Sequence, residues 1–344
     1  MKITRPKALK AGATVGIFTP SYPAHTNYFE KYQHGIKVLE GMGFKVVEGS
    51  LTKVGGNQGY RSGTPQARAA ELMELILDPK IDALISTIGG TNSSSLIPYL
   101  DFDAIRAHPK VICGYSDVTS LHLAILAYSG LSTFYGPAVM PSFGEWPDIL
   151  PETKSSFLEA VQFHREGIRP LTPPAQWSHK IRNALNREWK NKPREYEKNL
   201  GWKVLNKGTA ESPVIVANLN TLMSSAGTTY FPKLEGKILL IEQMNVSLAN
   251  EERHLRHLER LGVFDVITGL IVGKPEVYNQ ENAPFGHDDL IMEIVGANRS
   301  YPIVSGFDCS HTNPMLTIAE MTPISVQAAS GYDVHINVLE PMVL

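Results

Sequence analysis

The sequence predicts an α/β protein in two parts: an N-terminal parallel-sheet domain and a C-terminal mixed, β-rich α/β domain. Three observations carry this. Over the first part, short apolar runs alternate with helical periodicity, separated by loops rich in Gly and Pro. After residue 206 strands return in closer succession. Residues 166–205 between them are dense in Pro and charge, the texture of a linker or exposed insertion. A length of 344 residues suits two domains, read as 1–165 and 206–344.

Taken in order, Val15-Gly16-Ile17-Phe18 is a buried strand ending at Thr19-Pro20-Ser21. Phe29, Tyr32, Ile36 and Leu39 recur at helical spacing, and Gly41 and Gly43 stop that helix. Phe44 to Val47 forms the next strand. Pro65 to Leu77 is a helix with Pro in its first turn, ended by Asp78-Pro79. Ala83 to Ile88 is a strand running into Gly89-Gly90, and Ser95 to Leu100 is a short helix. Val111-Ile112-Cys113 and the helix Val118 to Tyr128 complete a Rossmann/flavodoxin-like layer. From about Glu152 to Gly201 no core element is expected. The second part offers strands at 213–217, 237–241, 269–272 and 303–304, and helices at 250–261 and 288–295. A terminal hairpin turns at Ser330-Gly331-Tyr332-Asp333.

Composition narrows the function. Lys and Arg number 32 against 34 Asp and Glu, so no basic footprint for nucleic acid exists. Two cysteines, Cys113 and Cys309, fit a reducing compartment better than a disulfide scaffold. No signal peptide or membrane-length apolar run is seen, which points to a cytoplasmic protein. No zinc spacing and no H-E-x-x-H occur, so no metal is expected.

The sharpest local feature is Gly114-Tyr115-Ser116-Asp117, between an apolar strand and a helix. A serine at such a turn is held out of the sheet near backbone N–H groups able to stabilise an oxyanion. The final Gly of G-x-S-x-G is replaced by Val118, and the same residues also describe an N-cap, the commoner role. Gly89-Gly90-Thr91-Asn92-Ser93 lies at the C-terminal end of another strand, where open α/β sheets bind ligands, or it caps the next helix. A serine nucleophile needs a base, and the base an acid. His311 ends a strand on a loop stiffened by Pro314, and Glu242 ends the apolar run Lys237 to Ile241. A carboxylate at the tip of a buried strand is costly unless paired.

With these flanks the chain resembles the LD-carboxypeptidase family of serine peptidases, nearest its microcin-immunity branch. The resemblance runs over nearly the whole length. It includes Tyr60-Arg61-Ser62-Gly63-Thr64, Ser86-Thr87-Ile88-Gly89-Gly90, Gly114-Tyr115-Ser116-Asp117 and Phe134-Tyr135-Gly136-Pro137-Ala138, and continues through Asn218-Leu219-Asn220-Thr221-Leu222 and Phe307-Asp308-Cys309-Ser310-His311-Thr312. The resemblance implies an active site between the domains, with Ser116 as nucleophile, His311 as general base and Glu242 orienting it. It also implies an oxyanion hole from the N–H groups of Gly90 and Asp117, no cofactor, and a homodimer. Asn92, Asn220 and Glu276 are the expected substrate contacts.

Two departures stand out. The branch carries W-[ST]-D-E-x-x-x-W, whose second Trp can stack on a nucleotide base. Here the stretch is Trp177-Ser178-His179-Lys180, with Ala184 in place of the second Trp and Trp189 five positions on. Val216-Ala217-Asn218 replaces Gly-Gly-Asn. The expected activity is hydrolysis of an amide in a small peptide or peptidyl-nucleotide. The alternatives are removal of a terminal D-alanine from cell-wall tetrapeptide and non-catalytic small-molecule binding.

Overall fold

In the computed structural model, which describes residues 2–163, 165, 167–180, 182–244, 247–276, 278–296 and 299–344, two sheets carry the chain. The first is built from β1 (Thr14–Phe18), β2 (Lys45–Glu48), β3 (Ala83–Ser86), β4 (Val111–Gly114) and β5 (Phe134–Tyr135). All five run parallel, and β1, β3 and β4 are the near-continuous buried apolar runs expected of strands covered on both faces. Its principal helices are α1 (Phe29–Gly41), α2 (Pro65–Leu77) and α3 (Thr119–Ser129). Thr64 caps α2 by accepting from the Ala67 N–H at 3.2 Å. Gly130, at φ 77°, ends α3 in a left-handed conformation.

One further helix corrects the sequence reading. α4 (Pro151–Gln162) lies inside the stretch expected to hold no core element. Its Phe157, Ala160 and Val161 are fully buried, and Phe157 packs edge-on against Phe143 and Phe44. Pro at the first helical position and Thr153, Phe157, Ala160 at helical spacing were the available signal, masked by the charged residues on the outer face.

The second sheet contains β6 (Arg169–Leu171), β9 (Lys203–Asn206), β10 (Gly208–Asn218), β11 (Ile238–Glu242), β12 (Gly269–Gly273), β13 (Ile303–Phe307), β15 (Pro323–Ala328) and β16 (Val334–Val338), in the order β6-β16-β15-β10-β11-β12-β13-β9. Strands β10 to β13 are parallel and the outer ones antiparallel. Helices α5 (Leu219–Ser224), α6 (Leu248–Arg260) and α7 (His287–Val295) accompany them. The predicted hairpin is β15–β16. Strands β6 and β9 place part of 166–205 at the two edges of this sheet. The rest of that stretch includes the small ladder of β7 (Gln176–Trp177) with β8 (Glu197–Lys198).

The two sheets are not separate bodies. β14 (Ile318–Ala319), far along the chain, pairs antiparallel with β5 and closes the edge of the first sheet. One apolar core runs from Val15, Phe134 and Phe157 to Val214, Leu240 and Val326. This continuity fixes the tips of β4, β11 and β13 with respect to one another.

Candidate active site

Strand register assembles the site. In the first sheet Gly114 pairs with Tyr135, so the Tyr135 ring stands beside the end of β4. Two residues later Ser116 takes φ 64°, a left-handed conformation a non-glycine residue holds only when its surroundings enforce it. Part of that enforcement is the Ser116 N–H, which donates to the Tyr135 hydroxyl at 3.1 Å. In the second sheet Asn218 is the register partner of Glu242. Both side chains leave strand ends on one side, and Asn218 Nδ2 donates to Glu242 Oε1 at 3.0 Å.

Glu242 is buried and takes four donors. Oε1 accepts from Asn218 and from the Tyr135 hydroxyl. Oε2 accepts from the His311 backbone N–H at 3.2 Å and lies 2.6 Å from His311 Nδ1. Burial alone would lift the Glu242 carboxyl, but His311, Tyr135 and Asn218 hold it below the usual carboxylate range. Burial likewise disfavours the His311 imidazolium, yet Glu242, reinforced by Glu276, outweighs it and raises His311 above the usual histidine value. Gly273 makes the approach possible, since a Cβ there would stand 2.7 Å from Glu242 Cβ and 3.0 Å from Ser310 Cβ. Tyr115 meets the His311 ring edge-on at 4.8 Å.

The glycine-rich loop is fastened to the nucleophile turn by Asp117. Its Oδ2 accepts from the Asn92 N–H and the Ser93 N–H, both at 2.8 Å, and from Ser93 Oγ at 2.7 Å. Buried Arg68 braces the other side, bonding to the Pro20 carbonyl at 2.6 Å, Ser95 Oγ at 2.9 Å and Asn92 Oδ1. Gly89 must lack a side chain, because a Cβ would sit 2.9 Å from Ser116 Cβ and 3.1 Å from the Asp117 nitrogen.

A cleft of about 660 Å³ opens over these elements, a size suited to a small ligand. Ser116, His311, Gly90 and Glu276 all line it. Glu276 is buried, with Oε2 unpartnered among the described residues, and burial pushes its carboxyl up to about 7 against the pull of His311. Asn92 and Asn220 are not among the lining residues. Asn92 Oδ1 is taken by Arg68, and Asn220 is exposed on the first turn of α5. Trp189 is buried against Trp146 and His34, Trp177 lies under Lys274, and neither is among the lining residues. Besides His311, the cleft is lined by the rings of Tyr22, Tyr28 and Tyr115, and the first two stack at 5.8 Å. Cys113 and Cys309 are buried free thiols. Among the described residues no His, Cys, Asp and Glu cluster could hold a metal.

The local sequence did not single out Tyr135, Asn218 or Gly273 as site residues. Tyr135 and Asn218 sit in ordinary strand contexts, and only cross-strand register brings them to Glu242.

The arrangement matches known proteins closely. Models of the LD-carboxypeptidase N-terminal and C-terminal domains match residues 15–136 and 211–326. The microcin C7 self-immunity protein MccF of Escherichia coli is 40% identical over 326 residues, covering 94% of this chain and 92% of that protein. A putative carboxypeptidase of Vibrio cholerae is 39% identical over 335 residues, 97% of each chain. The structure of MccF in complex with aspartyl sulfamoyl adenosine superposes with a TM-score of 0.92 at 37% identity, covering 99% of this chain and 100% of that one. On sequence and fold together, the chain belongs to the LD-carboxypeptidase family.

Proposed function

We propose that this protein is a serine carboxypeptidase that cleaves the amide joining an acidic aminoacyl group to a nucleotide-like moiety. The observation that carries this is His311, paired at 2.6 Å with buried Glu242 and lining one cleft with a serine in a strained strand-to-helix turn. The ligand of the MccF complex supplies the substrate class. In the proposed reaction, Ser116 Oγ attacks the amide carbon while His311 Nε2 takes the hydroxyl proton. The oxyanion is met by the N–H groups of Gly90 and Asp117. His311 returns its proton to the leaving amine, and then activates a water that releases the acid from Ser116. Glu242 holds His311 with its proton on Nδ1.

Removal of a terminal D-alanine from a cell-wall tetrapeptide is the second reading, favoured by the family's name and by the absence of Trp177 and Trp189 from the residues lining the cleft. Mass spectrometry of products from wild type and Ser116→Ala, with an aspartyl-nucleotide amide and a tetrapeptide offered separately, decides between them. Release of the nucleotide moiety by wild type alone supports the first reading, and release of D-alanine alone the second. Product from both proteins alike overturns the serine mechanism. Action as a homodimer in the cytoplasm completes the proposal, and light scattering tests the dimer. Among the described residues no helix is long and apolar enough to cross a membrane.

A further inference from the structure

The cleft carries a second group of charges that amide hydrolysis leaves unused. Lys31, on α1, is 7% exposed and lines the cleft. Its ammonium makes no hydrogen bond or ion pair with the described residues. Arg182 and Arg194, also lining the cleft, are both bound to buried Glu145. Arg194 grips that carboxylate through Nε at 3.1 Å and Nη2 at 2.9 Å. Two guanidiniums thus share one carboxylate, and the Lys31 ammonium lies in its field without bonding to it. Lys180 at the rim is taken by Glu195.

The group is tied to the catalytic loop. Ser178 and Asn313 exchange backbone hydrogen bonds at 2.7 and 2.9 Å, and Arg194 Nη1 donates to Ser178 Oγ at 3.3 Å. Asn313 is two residues past His311 and lines the same cleft. Apart from Arg182 Nε, which is buried without a partner among the described residues, the guanidinium nitrogens have carbonyl, hydroxyl or carboxylate partners, so the two arginines contribute mainly positive potential. The Lys31 ammonium keeps its donors free. The Lys31 stem is buried while the residue borders the cleft, so an anion there would supply the acceptor that the protein does not. Burial already pushes Lys31 down to about 8, with Glu145 opposing and the two arginines adding to the fall.

We propose that Lys31, in the field of Arg182 and Arg194, is the subsite for an anionic group of the substrate, a phosphoryl or a carboxylate. This rests on the reading that the cleft is the active site, and it names the charge the substrate must bring. An ammonium serves either anion as a compact point charge.

The test titrates inorganic phosphate and acetate, separately, against wild type and Lys31→Met, with affinity read by calorimetry. Methionine keeps the buried apolar stem and removes only the charge. Wild type should bind at least one anion saturably, and Lys31→Met should bind it about tenfold or more weakly. Because the ammonium has no protein partner, Lys31→Met should unfold at or above the wild-type midpoint. Wild type alone gives a second reading: the bound anion should raise its unfolding midpoint with dose, where chloride at equal ionic strength does not. Preference for phosphate assigns a phosphoryl substrate, and preference for acetate a carboxylate. Equal affinity of the two proteins, or no saturation by either anion, overturns the subsite. Labelling of Ser116 by an activated fluorophosphonate reports on the hydrolase reading separately. Its absence alongside Lys31-dependent anion binding would fault the catalytic reading and leave the subsite standing.

Discussion

Replacing Glu242 by Gln isolates the buried charge at the centre of the site. Four donors converge on this carboxylate: the Tyr135 hydroxyl and Asn218 Nδ2 on Oε1, and the His311 N–H and Nδ1 on Oε2. An amide offers one acceptor oxygen, so one pair of donors must face an NH2 group. If that group faces His311, the ring has to accept at Nδ1 and carry its proton on Nε2, where it can no longer take the proton of Ser116. In serine triads the equivalent acid-to-amide change costs about 10⁴ in kcat, or about 5 kcal/mol of barrier. The pH dependence moves as well. Neutral His311 is the active base and Glu242 raises its pKa, so wild-type activity should climb with pH through a midpoint above the usual histidine value. With the carboxylate gone, burial dominates and the residual activity should climb at a lower pH. The assay is kcat/KM against pH on the substrate identified by mass spectrometry, with fluorophosphonate labelling of Ser116 as a substrate-independent rate. A Glu242→Gln enzyme within about tenfold of wild type, or one whose pH midpoint stays put, would refute the role given to Glu242.

Three further outcomes are expected. Gly89→Ala should abolish labelling of Ser116 in a folded protein, because the new Cβ falls 2.9 Å from Ser116 Cβ and 3.1 Å from the Asp117 nitrogen; unchanged labelling would show that this loop gives way. Glu320 is buried beneath the joint between the sheets, and burial lifts its carboxyl to about 8 against the Val216 N–H bond. Its folded-state pKa lies above the unfolded one, so wild type should lose about 1.4 kcal/mol per pH unit relative to Glu320→Gln between those two values, and nothing more above them. Chemical denaturation at several pH values reads this, and a pH-independent gap counts against it. Phe157→Ala should destabilise by about 3–5 kcal/mol, measured by denaturant unfolding, since the ring is fully buried against Phe143 and Phe44.

Much of the fold was legible locally. Apolar runs of strand length and Gly or Pro punctuation located β1, β3, β4, β11, β12 and the terminal hairpin within one or two residues. β10 was read short: the structure extends it back to Gly208, because its first half pairs with β15 and carries polar residues that break the apolar run. α4 escaped because its buried stripe is narrow and its solvent face charged. At the site, local sequence named a serine at a strand-to-helix turn, an acid at a strand tip and a histidine after a strand, each with an equally ordinary structural role.

The sequence by itself determined which segments are strands and helices, and which polar residues stand at strand ends, because side-chain periodicity and turn chemistry act over a few residues. Whether those ends meet depends on sheet order and register, which are set by a core shared across the whole chain. Only the tertiary structure paired Asn218 with Glu242, placed Tyr135 between Ser116 and that acid, and brought Lys31 to one cleft with the two arginines bound to Glu145. Such contacts join positions many tens of residues apart, and the spacing between residues along a chain carries no information about a distance that a sheet decides.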